Sequence, residues 1–217
     1  FDIGTFYQRK EDHSSALEWY LQGLLFFDSF RDEQQIDLYL RNVWVMAHKL
    51  KSEPRLRDLV RAFKDLKTRL TRDGMTFALA RVYGTLGDIY MDVLDRERAA
   101  VACLRQELRL LSGLGRRRDE ALANIELAGT LQQYGRYSEA LEALEAALDI
   151  AKKEKLSELL GTILYNRGNY YAEIEMYPES EASLREAEQV ASQSEHPNLL
   201  RMVQHNLGET YRRQGRL

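Results

Sequence analysis

Residues 127–148 read LAGTLQQYGRYSEALEALEAAL. A small residue, Ala128, is followed three positions on by Leu131, then by Gly135, and twelve positions after Ala128 by a second small residue, Ala140. Beyond Gly135 the apolar residues Ala140, Leu141, Leu144, Ala147 and Leu148 recur at helical spacing and form one stripe. The stretch therefore reads as helix, turn, helix. Gly135 falls where the first helix ends, a left-handed position that glycine takes at little cost. Two small residues on facing helices let the backbones approach, and the residue at +3 fills the wedge beside them.

The same pattern recurs along the chain. The first small residue is Gly4, Gly87, Ala128, Gly168 or Gly208, and the +3 residue is Tyr7, Tyr90, Leu131, Tyr171 or Tyr211. The +12 residue is Ala16, Ala99, Ala140 or Ser180, and the last copy stops short of it. Successive copies from Gly87 onward are 41, 40 and 40 residues apart. Counting back 40 from Gly87 gives Ala47, with Leu50 at +3 and Leu59 where a small residue is expected. That degenerate copy keeps an apolar stripe of Leu56, Leu59, Val60, Phe63 and Leu66, and the interval to the first copy stretches to 43 residues. A 40-residue period holds two helices of about 16 residues, each about 24 Å long. Pro178 begins a second helix, where its missing N–H costs nothing. The chain thus divides into six copies, at 1–31, 32–72, 73–114, 115–155, 156–196 and a partial 197–217, read as one domain cut from a longer protein.

Composition narrows the function. The chain has 217 residues and a net charge of −3, so no global charge favours nucleic acid. The basic run Arg116-Arg117-Arg118 is followed at once by Asp119-Glu120 and reads as a solvated corner between helices. One cysteine, Cys103, precludes an internal disulfide and fits a reducing, cytoplasmic setting. No apolar run reaches the roughly 18 residues that a bilayer span needs, so no membrane association is expected. Phosphate-loop, serine-nucleophile and zinc-helix motifs are all missing from the sequence, and the four histidines have no ligand spacing. Cys103 lies on the inward side of a second helix and reads as an inert thiol. Carboxylates follow the solvent side of helices, as in EALEALEAALD. No enzyme activity, metal or cofactor is expected.

The small–aromatic–Gly–aromatic–Ala pattern resembles the tetratricopeptide repeat, most clearly in residues 127–148. Its near-40 period is similar to the long repeats of kinesin light chains, Pins-type adaptors and certain bacterial regulators. The resemblance implies an all-α, right-handed superhelical solenoid of antiparallel helix pairs. It also implies a concave groove lined by the first helices, in which a protein or peptide binds.

Under that register copies five and six place Tyr165, Asn166, Asn169, Glu173, Met202, His205, Asn206, Glu209, Arg212 and Arg213 at groove positions, of which Tyr165, Asn166, Asn169, His205, Asn206, Arg212 and Arg213 are the candidate peptide contacts. An Asn side chain carries a donor and an acceptor, so Asn166, Asn169 and Asn206 suit the backbone of an extended peptide. Arg212 and Arg213 suit a carboxylate at the rim. A second patch comprises Arg41, Trp44, His48 and Lys51 in copy two; the groove positions of copy three, Arg81, Gly84, Thr85, Asp88 and Met91, are not part of it. The carboxylate clamp of chaperone-binding relatives requires Lys at a first-helix position that here reads Phe1, Trp44, Gly84, Ile125, Tyr165 and His205. Chaperone-tail binding is therefore disfavoured.

The expected function is a helical-repeat scaffold for a protein or peptide partner. The alternative is a ligand- or peptide-sensing regulatory domain of a larger bacterial transcription factor or signalling protein. Homo-oligomerisation is a third possibility, through an uncovered apolar face of the last helix with Leu200, Val203 and Leu207.

Overall fold

A computed structural model describes residues 13–23, 33–50, 53–193 and 197–216. Gly4, Tyr7 and Lys51, which the sequence reading singles out, lie outside these. The described residues are α-helical throughout apart from short corners and one π-helical turn, and none forms a strand. They fall into two compact units, Phe1–Gly115 and Arg116–Leu217.

The first unit contains α1 (His13–Gly23), α2 (Glu33–Leu50), α3 (Glu53–Arg72), α4 (Thr76–Asp88) and α5 (Glu97–Gly113). The degenerate repeat folds as its apolar stripe requires: Leu56, Leu59, Phe63 and Leu66 of α3 are all buried. They share a core with Ala16, Leu17 and Tyr20 of α1, Val43, Met46 and Ala47 of α2, and Leu86 of α4. Burying a side chain such as Phe63 is worth about 1.5–3 kcal/mol.

α4 continues into a π-helical turn, Ile89–Val93. This turn explains why copies three and four lie 41 residues apart while later copies lie 40 apart. A π turn absorbs one extra residue without breaking the helix. The insertion shifts the register of the helix after it. Ala100, not the expected Ala99, is the fully buried small residue at the start of α5. Beyond the insertion, second and first helices begin at residues 97, 117, 137, 157, 177 and 197.

The second unit contains α6 (Arg117–Gln133), α7 (Tyr137–Lys153), α8 (Ser157–Glu173), α9 (Tyr177–Gln193) and α10 (Pro197–Arg213). Each packs chiefly on its sequence neighbours. α7 buries Ala140, Leu144, Ala147 and Leu148 of the stripe read from the sequence, with Ala143 buried in place of Leu141, which is half-buried. The small-residue contact is close. A β-carbon on Gly168 would lie 2.6 Å from Leu184 Cγ and 3.3 Å from the Leu184 backbone nitrogen. Ser180, at the +12 position of α9, is fully buried and within 3.3 Å of Thr210 Oγ1 on α10. Pro178 occupies the first turn of α9.

The corners share one geometry. Gly135 has φ of 71°, and the N–H of Arg136 closes onto the Leu131 carbonyl at 2.9 Å. Gly215 repeats this with φ of 68°, whereas Lys155 and Glu175 adopt the same left-handed conformation with a β-carbon. The last helix departs from the sequence reading. Val203 and Leu207, expected to be uncovered, are 0% and 7% exposed because α10 packs that face into the unit against α8 and α9. The large apolar side chain left exposed on α10 is Met202.

Candidate functional site

In the second unit the helical spacing places Tyr165 and Asn169 one turn apart on α8, facing Asn206 on α10. Asn206 Nδ2 donates to Asn169 Oδ1 at 2.5 Å and to Tyr165 OH at 3.2 Å. Both amide hydrogens of Asn206 are thereby used, which leaves its carbonyl oxygen and the Asn169 amide group uncommitted. All three side chains are half-buried. A small pocket of about 120 Å³ opens beside them, lined by Asn169, Glu173, Asn206, Glu209, Thr210 and Arg213.

Charge at its rim is internally matched. Arg213 lies 3.1 Å from Glu209 and 3.6 Å from Glu173, and Arg212 lies 2.6 Å from Glu209. Hydrogen bonds from Arg212 first, and then Arg213, hold the Glu209 carboxyl down at about 2. A carboxylate arriving from a partner would therefore compete with Glu209 for these guanidiniums. His205 and Arg212 face a neighbouring shallow depression with Gln204 and Gly208, and Glu209 borders both. Asn166 is half-buried on α8 and lines neither hollow.

In the first unit, Arg41 and Trp44 of α2 line a cleft of about 400 Å³ with Asp37 of α2 and with Arg81, Thr85 and Asp88 of α4. Trp44 stacks on His48, ring centroids 5.6 Å apart, and its indole N–H donates to Asp92 in the π turn at 3.2 Å. Arg81 bridges Asp37 at 2.7 Å and Glu107 at 3.1 Å. Glu107 is fully buried, which corrects the expectation that carboxylates keep to the solvent side. Its partner explains it: a buried carboxylate persists when a guanidinium compensates it. Gly84 makes the room, since a β-carbon there would lie 2.6 Å from both carboxylate oxygens. Gly84 was the available signal, because the corresponding position carries a large side chain in every other copy. Asp37 and Glu107 lie outside the register positions that the repeat singles out, whereas Asp92, five residues after Gly87, holds the position that Arg213 takes after Gly208.

Elsewhere, burial pushes the Cys103 thiol up to about 11, so it is inert at neutral pH. Arg116, Arg117 and Arg118 pair with Asp119, Glu120 and Glu158, as a solvated corner requires. Among the described residues no group of three His, Cys, Asp or Glu could hold a metal ion, and no helix is long and apolar enough to cross a membrane.

Neither a protein-family model nor a curated protein matches the chain. Solved structures do. BtubC (BKLC) from P. vanneervenii superposes with a TM-score of 0.74 at 16% identity, over 95% of this chain and 84% of that one. A putative kinesin light chain with TPR-like repeats from Podosopora anserina gives 0.63 at 20% identity, over 81% and 87%. The signal-transduction ATPase PH0952 from Pyrococcus horikoshii, which carries a tetratricopeptide-repeat sensor, gives 0.69 at 13% identity, over 96% of this chain and 31% of that one. The chain has the all-α tetratricopeptide-type helical-repeat fold, a solenoid of antiparallel helix pairs.

Proposed function

We propose that residues 1–217 form one array of repeats that serves as a scaffold rather than an enzyme. It binds a protein or an extended peptide along its first helices, at Tyr165, Asn166, Asn169, His205, Asn206, Arg212 and Arg213. The observation that carries this reading is the Tyr165–Asn169–Asn206 cluster. Its internal hydrogen bonds fix the two amides so that one carbonyl and one amide group are left beside a pocket. An extended peptide presents unpaired N–H and C=O groups to such a pair, and the match requires no particular sequence. Arg213 and Arg212, exchanging Glu209 for a partner carboxylate, would add charge recognition at the rim.

Peptides selected on an array against the protein provide the test. Asn169→Ala with Asn206→Ala should weaken the selected peptides at least tenfold by calorimetry, while helicity is retained. Unchanged affinity in that variant would move recognition off this row.

The likeness to the repeat sensor of a signal-transduction ATPase favours a second reading, in which this array is the sensing part of a larger regulatory protein in the cytoplasm. A gene that encodes only further repeats would count against it. Self-association through the last helix has less apolar surface available than its sequence suggests, because Val203 and Leu207 are buried. Light scattering at high concentration reads it directly.

A further inference from the structure

We infer that the pocket beside Asn169 and Asn206 is a seat for a primary carboxamide, the side chain of a glutamine or asparagine in the partner. Asn206 donates one amide hydrogen to Asn169 Oδ1 and the other to Tyr165 OH. Two carboxamides are thereby joined head to tail in a chain that stops short of a ring. Oδ1 of Asn206 is left as an acceptor and the Asn169 amide as a donor, on two residues that both line the pocket. A third carboxamide closes the ring, accepting from Asn169 through its oxygen and donating to Asn206 through its nitrogen. Hydrogen bonds that run in one sense round such a ring polarise one another.

Other guests fit the same walls less well. A carboxylate has no hydrogen for Asn206 Oδ1, and it meets Glu173 and Glu209 in the lining. It gains Arg213 only by displacing Glu209, which lies 3.1 Å from that guanidinium. A cation would have to draw Glu209 or Glu173 away from Arg213, which both already approach. An apolar side chain would cover the two uncommitted groups and satisfy neither. A trans peptide unit carries its C=O and N–H on opposite edges, so one unit does not serve both asparagines from one side. A primary carboxamide carries both on a single edge, and a volume of about 120 Å³ accommodates it.

The inference rests on the scaffold reading and sharpens it: the row takes an extended peptide of any sequence except at the residue that enters this pocket. Randomised decapeptides on an array are the probe. Among the peptides retained, Gln or Asn should be enriched over Glu and Asp at one position. Resynthesised with Gln, Glu or Met there, the Gln peptide should bind about tenfold tighter than either, because two neutral hydrogen bonds separate them. Asn169→Ala should remove that preference, weakening the Gln peptide at least fivefold more than the Met peptide. A purely structural loss would weaken the two alike. Retained peptides with no carboxamide preference, or a preference that survives Asn169→Ala, would overturn the inference and leave the scaffold reading standing. No retained peptide at all would overturn both. The comparison among peptides uses the unaltered protein, so a poorly folding variant does not blunt it.

Discussion

Glu209 is the residue whose titration reports most directly on the second-unit pocket. Its carboxyl is depressed from 4.5 to about 2 by Arg212 and then Arg213. A depressed carboxylate favours the folded arrangement above its ordinary value and loses that favour as the pH falls toward 2. Carboxyl NMR should therefore show Glu209 still ionised at pH 3.5, and Arg212→Ala should bring its midpoint back up toward 4.5. Arg81 is the corresponding residue of the first unit. Arg81→Met strands the buried Glu107 and should cost about 3 kcal/mol by chemical denaturation, a cost that Glu107→Gln in the same chain largely restores. This pair marks where sequence reasoning ends. Residues 81 and 107 lie on different helices, and periodicity assigns a charged side chain to solvent. Only the missing side chain at Gly84 hints that something else fills its place. That Asn169 and Asn206 meet follows from the repeat register, whereas Asn166, read into the same row, joins neither their hydrogen bonds nor either hollow.

Helices, by contrast, are largely written in the sequence, since small residues and apolar stripes recur at fixed offsets, while the corners are marked by glycine at Gly135 and Gly215 but not at Lys155 or Glu175. Two glycines on first helices separate packing from propensity. Gly168→Ala should destabilise by about 1–3 kcal/mol, because its new carbon meets Leu184 side chain and backbone. Gly129→Ala should stabilise by up to about 1 kcal/mol, because nothing lies within 4 Å of that position. Opposite shifts in denaturant midpoint are the expected result. At the corners, Glu175 holds a left-handed conformation that glycine takes more cheaply. Glu175→Gly should raise the melting temperature by about 2–4 °C, corresponding to about 1 kcal/mol. The π turn is the element that the period misreads. Counting twelve from Gly87 runs through an inserted residue and lands on Ala99, while packing selects Ala100.

On a larger scale, each helix of the unit Arg116–Leu217 packs chiefly on its sequence neighbours within that unit, as in a one-dimensional stack. The unit Arg116–Leu217 has its own buried stripe on α7 and its own close contact at Gly168, so residues 116–217 expressed alone should be helical and melt cooperatively. Circular dichroism checks this, and a non-cooperative melt would show that the unit borrows its order. What the π turn leaves behind is a metre. Because the extra residue is taken up inside a helix, every later helix begins on the same twenty-residue beat, from 97 to 197. Residues 117–156 then form a cassette whose ends share one phase. Gene duplication or excision of that block would keep every downstream corner in place, so such an array can be lengthened or shortened without redesigning a single joint.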